Sequence, residues 1–448
     1  MLDKNYFRLN FKRCIILFTF IIATLPSCKE DEKTYSVISC KDNPIPNKHN
    51  IEGYSCKVSY SIGELINIKV HCPNNTFDIK IYKLGLENKL VFEADSITGK
   101  VQNYTDCSYQ YGCNWETSYS LVIPNDWFSG MYSAKLSDDS GNFYVTFIIT
   151  PKDNTKEIAL LASTNTWQAY NNWGGASFYK YDFENNPKNL SHCNMVSYER
   201  PNPRGYPFGD QGHCANAEQH ILKWLYKNKY EFDVYSDIDL HKNNVLSGYK
   251  AVIISTHSEY WTEKMYNNLL TFLNSGGNLL YLSGNGIYWK VTLRDKQMEL
   301  QKNGNLHIHN SEKGGLWREL GRSESKVLGV RYSISGYRTY AGYKVINADH
   351  WIFDNTNIEN GDTIGVDGLN YGGASGWETD KTGGDSPSNI ILLAKGTNPD
   401  NGGAEMTYYD HTGGGGVFSV GSITFGGSLA IDDNLSQITK NVLNKYID

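Results

Sequence analysis

The stretch "AVIISTHSEYW" (residues 251–261) runs from a mostly apolar, β-branched segment straight into a histidine, a serine, a glutamate and two aromatics. Its first half reads as a strand buried on both faces, the mark of a parallel sheet covered by helices. Similar runs stand on either side of it: "KEIALLAST" (156–164), "EFDVYS" (231–236) and "NLLYLSG" (278–284). Between them lie the amphipathic stretches "NAEQHILKWLYKN" (216–228) and "EKMYNNLLTFLNSGG" (263–277), the second ending in a glycine stop. Strands alternating with helices predict an α/β domain over 153–448 built on a parallel, flavodoxin-like sheet. After about Lys296 the pattern loosens into glycine-rich segments, read as the rest of that sheet with β-rich excursions over it.

Sheets of this kind bind ligands beyond the carboxyl ends of their strands. The loops 165–179, 236–241, 256–261 and 284–289 are therefore expected to form one site, rich in tyrosine, carboxylates and amides. Residues 51–152 read differently. Short alternating runs such as "LINIKVHC" (65–72) and "FDIKIYKL" (77–84), separated by turn residues, predict an all-β immunoglobulin-like sandwich.

The N-terminus has the layout of a lipoprotein signal. Lys4, Arg8, Lys12 and Arg13 precede an apolar core at 15–23 and then "LPSC" (25–28), which makes Cys28 the expected site of lipidation and 1–28 the signal. The core falls short of the roughly 20 residues that span a bilayer. Residues 29–50 read as a polar tether, and the acidic residues directly after Cys28 resemble a surface-export signal of bacterial lipoproteins. The expected location is the bacterial cell envelope, at the outer membrane and its surface, with the membrane engaged through the lipid.

Nine cysteines fit export: with Cys14 lost and Cys28 lipidated, an odd seven remain. Cys107 with Cys113, and Cys193 with Cys214, are candidate disulfides. No pair has the CxxC spacing of a zinc site. With 448 residues, 40% hydrophobic, and a formal net charge of −6 without long runs of one sign, the chain suits two or three packed domains and excludes a nucleic-acid partner.

Three kinds of chemistry suit the strand-end loops. Ser258 lies where an elbow nucleophile would, but His257 and Glu259 flank it in place of the small residues that turn needs. A glutamate with phenols makes a hard, oxygen-rich metal site suited to ferric iron. Exposed tryptophans and tyrosines could instead line a glycan-binding cleft, or simply pack the strand ends.

In order and spacing, "NTWQAYNNWGGASFY" (165–179), "VSYERP" (196–201), "DIDLH" (237–241), "STHSEYW" (255–261) and "LSGNGIYWKV" (282–291) resemble the large-subunit family of N,N-dimethylformamidase. "HWIFDNT" (350–356), "GWETD" (376–380) and "GVFSVGSITFGGSL" (416–429) resemble the same family's later segments. The resemblance covers about 158 to the end of the chain and implies a fold like class I glutamine amidotransferases, with a mononuclear Fe(III). It implies Tyr170, Tyr179 and Glu259 as ligands, His257 as general base and Asn285 as oxyanion donor. The segment between the two tyrosines is shorter than in the amidase, which leaves Tyr198 and Tyr206 as alternatives to Tyr179.

Asn165, Trp167, Glu218, Asp239, His241, Trp261 and Trp289 are expected to border the pocket or to support it. Glu378 and Asp380 read as turn residues in a glycine-rich loop, and His350 as a packed histidine. The functional expectation is an iron-dependent hydrolase of amide C–N bonds, acting on a small amide and open to homo-oligomerisation. The alternative is a non-catalytic surface binding module on the same fold.

Overall fold

Strand β1 (Ile158–Ala162), β2 (Phe232–Ser236) and β3 (Ala251–Thr256) are buried at every residue, and β4 (Asn278–Ser283) at all but its first. In this computed structural model, which describes residues 50–179 and 191–448, β1 lies between β2 and β3, β4 pairs with β3 on its other side, and all four are parallel. The signal, Cys28 and the tether up to residue 49 lie outside the described residues. Alternate strand residues feed opposite layers. Leu160, Val234 and Ile253 pack with Ile221, Leu222 and Leu225 of a helix (Ala215–Lys227) on one face. Leu161, Val252 and Ile254 pack with Met265, Leu269 and Leu273 of a second helix (Glu263–Asn274) on the other.

The strands beyond β4 overturn the expected flavodoxin-like parallel sheet. Five of them complete the sheet: β5 (Tyr343–Val345), β6 (Thr363–Ile364), β7 (Ile391–Gly396), β8 (Glu405–Asp410) and β9 (Gly416–Ser419). The order is β2-β1-β3-β4-β9-β8-β7-β5-β6. β9 joins β4 in parallel, but β8, β7, β5 and β6 are each added antiparallel. The physical reason lies in the connections. Only the five residues of "HTGGG" (411–415) join β8 to β9, far too few for a parallel crossover. A side chain at Gly415 would stand 2.1 Å from the Gly277 carbonyl, so this turn closes only on glycine. A second mixed sheet carries Met195–Ser197, Gln297–Leu300, Trp289–Arg294 and Tyr260–Trp261. The described chain is 33% strand and 19% helix, mostly β rather than α/β.

Residues 52–149 form two further sheets around one core. Ile66, Ile68 and Val70 of the three-stranded sheet face Ile79, Ile81, Ala134 and Phe147 of the five-stranded one. These sheets and the large mixed one belong to a single compact unit. Ser59 Oγ donates to Asp239 and Val234 N donates to Ser129 Oγ, at 2.7 and 2.8 Å, across their junction. Among the described residues no helix is long and apolar enough to cross a membrane.

The two candidate disulfides do not form, because Cys113, Cys193 and Cys214 are free. Cys113 packs with Tyr54, Trp115 and Trp173, whereas Cys107 packs with Tyr109 and Ala176 in a separate cluster. Cys214 sits in the core beside the Ala215–Lys227 helix, while Cys193 packs against Phe178 and Val196. Unfolding the unreduced protein in the presence of an alkylating reagent is expected to label Cys113, Cys193 and Cys214. A crosslinked 107–113 or 193–214 peptide in the mass spectrum would contradict this placement.

Candidate active site

β3 ends on a strained turn. Thr256 has φ 57°, a left-handed conformation that a β-branched residue rarely adopts, and His257 N donates to Ser255 O at 2.8 Å. The chain thereby leaves the sheet with His257 and Glu259 both buried, at 1% and 2% exposure, beyond the strand's carboxyl end. His257 Nδ1 is 3.0 Å from the Gly284 carbonyl, which can only accept, so Nδ1 carries a hydrogen. Nε2 then faces carboxylates, 3.1 Å from Glu259 Oε2 and 3.7 Å from Glu378 Oε2, although its line to Glu259 lacks hydrogen-bond alignment. Burial opposes a charged imidazole here. Glu259 and Glu378 outweigh it and raise His257 to about 9.

Glu259 is also where two phenols meet. Tyr170, at the end of the Thr164–Ala169 helix, donates to Oε2 at 3.1 Å, and Tyr179 donates to Oε1 at 2.7 Å. The two rings stack 4.3 Å apart. Tyr260, which reading of the sequence did not single out, donates to the Tyr179 hydroxyl. Burial first, and the Glu259 charge second, hold Tyr170 and Tyr179 well above the ordinary phenol value, so each keeps its proton for the carboxylate. Among the described residues, no group of three or more histidine, cysteine, aspartate or glutamate side chains is placed to hold a metal. The converging oxygen donors here are two phenols and one carboxylate, a set whose chemistry matches a hard cation.

The opposite wall was not legible. Glu378 and Asp380, expected to be turn residues, are buried in the site. Asn285, with φ 50°, donates from Nδ2 to Glu378 Oε2 at 2.9 Å and from its backbone N to Asp380 Oδ1 at 2.9 Å. Tyr281 donates to Asp380 Oδ2 at 2.7 Å. Burial raises both acids, Asp380 to about 7. Their spacing of two residues in "GWETD" repeats that of His257 and Glu259, which was the available signal.

Other expected residues support this centre from outside. Asn165 donates to Tyr260 O and accepts from Tyr198, so Tyr198 is committed away from Glu259. Tyr206 is 45% exposed and packs on Tyr144 and Phe208. Glu218 accepts from Trp167 Nε1 and Ser163 N, at 2.8 and 3.1 Å, fixing the start of the helix that ends in Tyr170. Trp261 donates to Ser258 O and Oγ, which locks the serine away from nucleophilic duty. Asp239 caps its own helix, and His241 meets Thr262, so neither reaches the centre. Trp289 lies under Lys302, whose ammonium also sits over Tyr179. His350 packs on Trp351 and Tyr408.

The chain matches a family model described as N,N-dimethylformamidase beta subunit-like, C-terminal, over residues 78–441. It is similar to the N,N-dimethylformamidase beta subunits of Alcaligenes sp and Paracoccus aminophilus, at 29% and 28% identity over 78% of this chain. It spans 58% of the length of these relatives. The matched region opens inside the two sheets of residues 52–149, earlier than the resemblance read from about residue 158.

The segment that carries both tyrosines is held by one buried cation. Arg200, 1% exposed, donates to the carbonyls of Asn171, Trp173, Ala176 and Ser197. Removing it leaves these carbonyls buried and unpaired, and a lysine ammonium cannot span all four. Arg200→Met is expected to cost about 3 kcal/mol of stability, with Arg200→Lys recovering little of it. Urea denaturation checks this. A midpoint unchanged in both variants would contradict the clamp.

Proposed function

The chain belongs to the N,N-dimethylformamidase beta subunit-like C-terminal family, and from that premise we propose that it hydrolyses amide C–N bonds with a ferric ion held by Tyr170, Tyr179 and Glu259. The observation that carries the reading is the convergence of two phenols and His257 on one buried carboxylate. When bound there, a ferric ion would supply Lewis acidity, polarising the amide carbonyl or the attacking water.

The chain's own groups account for the proton traffic. Glu378, raised by burial and close to His257, takes the proton that water loses as it adds to the carbonyl. His257, charged through neutral pH by the two carboxylates beside it, passes a proton to the departing amine. The expected role of His257 as sole base is thus divided between two residues. Asn285, fixed at both its backbone and its amide, presents an N–H dipole to the carbonyl oxygen as charge develops, a contact typically worth about 3 kcal/mol. Water adds, the C–N bond breaks, and a carboxylic acid and an amine leave.

The relatives are beta subunits by name, which supports a further subunit, or further copies of this chain, in the working enzyme. Export and lipidation at Cys28 remain part of the proposal on the strength of the N-terminal sequence. A purely glycan-binding role suits this centre poorly. A lectin-like cleft gains nothing from a glutamate and a histidine that are 2% and 1% exposed.

Metal analysis and visible absorption of the chain from Lys29 onward are expected to show near-stoichiometric iron with a tyrosinate-to-iron band. Tyr170→Phe and Glu259→Gln should abolish both. A colourless protein that refuses iron would overturn the ferric reading. Glu378→Gln is expected to keep iron and colour while amide hydrolysis falls about 100-fold or more. Full activity in that variant would remove Glu378 from the mechanism.

A further inference from the structure

The apolar cluster behind the centre holds one hydroxyl that packing does not need. Tyr260 is 1% exposed, and its ring lies among Ala169, Phe178, Val196, Val291 and Met298. A phenylalanine would fill that space and spare the cost of burying an O–H. The backbone around the ring is pinned. Tyr260 pairs with Trp289 in a short parallel ladder, and its carbonyl accepts from Asn165 Nδ2 at 3.1 Å. Among the described residues, the one hydrogen bond of the hydroxyl runs to the Tyr179 oxygen.

The direction of that bond is fixed by what lies beyond it. Tyr179 spends its own O–H on Glu259 Oε1 at 2.7 Å, so its oxygen accepts and Tyr260 donates. A cation held by Tyr179 and Glu259 would replace the hydrogen between those two oxygens. The bond from Tyr260 reaches the Tyr179 oxygen from the apolar cluster and is left in place by that exchange.

Tyr170 is surrounded differently. Its ring meets the imidazoles of His213 and His257 at 4.5 and 5.9 Å, whereas the Lys302 ammonium stands 5.7 Å from the Tyr179 ring. A hydrogen bond to the oxygen and a cation over the ring both draw negative charge away from the ligating end of Tyr179. The two phenols are therefore unequal.

We propose that Tyr260 is a positioning residue for the ferric centre, whose O–H holds the Tyr179 oxygen and makes Tyr179 the weaker phenolate donor of the pair. The assignment rests on the ferric reading. A phenolate that shares its charge with a hydrogen bond gives less of it to the metal, which preserves the Lewis acidity that polarises an amide.

The test loads the full chain and its Tyr260→Phe variant with iron, then compares iron content and visible absorption, with resonance Raman spectra of the unmodified protein in water and in deuterium oxide. Tyr260→Phe is expected to keep its iron and to move the tyrosinate-to-iron band to longer wavelength, because a phenolate without its hydrogen bond gives up an electron more readily. The unmodified protein is expected to show two tyrosinate C–O stretches, of which only one moves in deuterium oxide. That second measurement decides the matter if the variant fails to fold or to hold iron. An iron-loaded Tyr260→Phe with an unmoved band, or two stretches that respond alike to deuterium, would overturn the assignment and leave the ferric reading intact. An unmodified protein that takes no iron would overturn the ferric reading, and the assignment with it.

Discussion

A carboxylate taken out of water must be met by donors or by charge, and Glu259 is met by both. Two phenolic hydroxyls reach its two oxygens while an imidazole nitrogen stands 3.1 Å away. Those three partners arrive from different parts of the chain, so this one buried group dictates where the Tyr170 helix ends, where the Tyr179 loop returns and how β3 must turn. The left-handed Thr256 is the local expression of that demand. An apolar residue at 259 would leave two phenols and a histidine without a shared acceptor.

The rest of the architecture serves that point. Parallel β1, β3 and β4 bring Tyr170, Glu259 and Asn285 to one end of the sheet, as the carboxyl ends of adjacent parallel strands must. Arg200 holds the tyrosine segment from behind through backbone carbonyls, and Glu218 anchors the helix before it. The far wall comes from the antiparallel half of the protein, through Glu378 and Asp380 bonded to Asn285. The site therefore needs both halves of the mixed sheet. Burial raises Glu378 and Asp380, while the carboxylates of Glu259 and Glu378 drive His257 to its charged form.

The first four strands of the large sheet were legible because each is a short apolar run between polar ones, a pattern that survives without knowledge of neighbours. The direction of the later strands was not. It depends on glycine returns such as 411–415, where close backbone approach decides the turn and apolar periodicity is silent. Glu259 and His257 stood out because they interrupt a buried strand end, and resemblance drew Tyr170 and Tyr179 to them. Glu378 lies 119 positions after Glu259, in a loop whose composition looks like a turn, so nothing local marked it as a partner of His257. The cysteine pairs failed for a related reason: short spacing along the chain says nothing of which cluster each cysteine joins.

The most direct measurement is the anomalous diffraction of iron-loaded crystals of the full chain, recorded on both sides of the iron absorption edge. A ferric centre at Glu259 predicts one strong iron peak bounded by the phenolic oxygens of Tyr170 and Tyr179 and the carboxylate of Glu259, with the two O–H donations to Glu259 gone. An iron peak elsewhere, or both phenols still donating to Glu259 in a metal-free centre after loading, would contradict it.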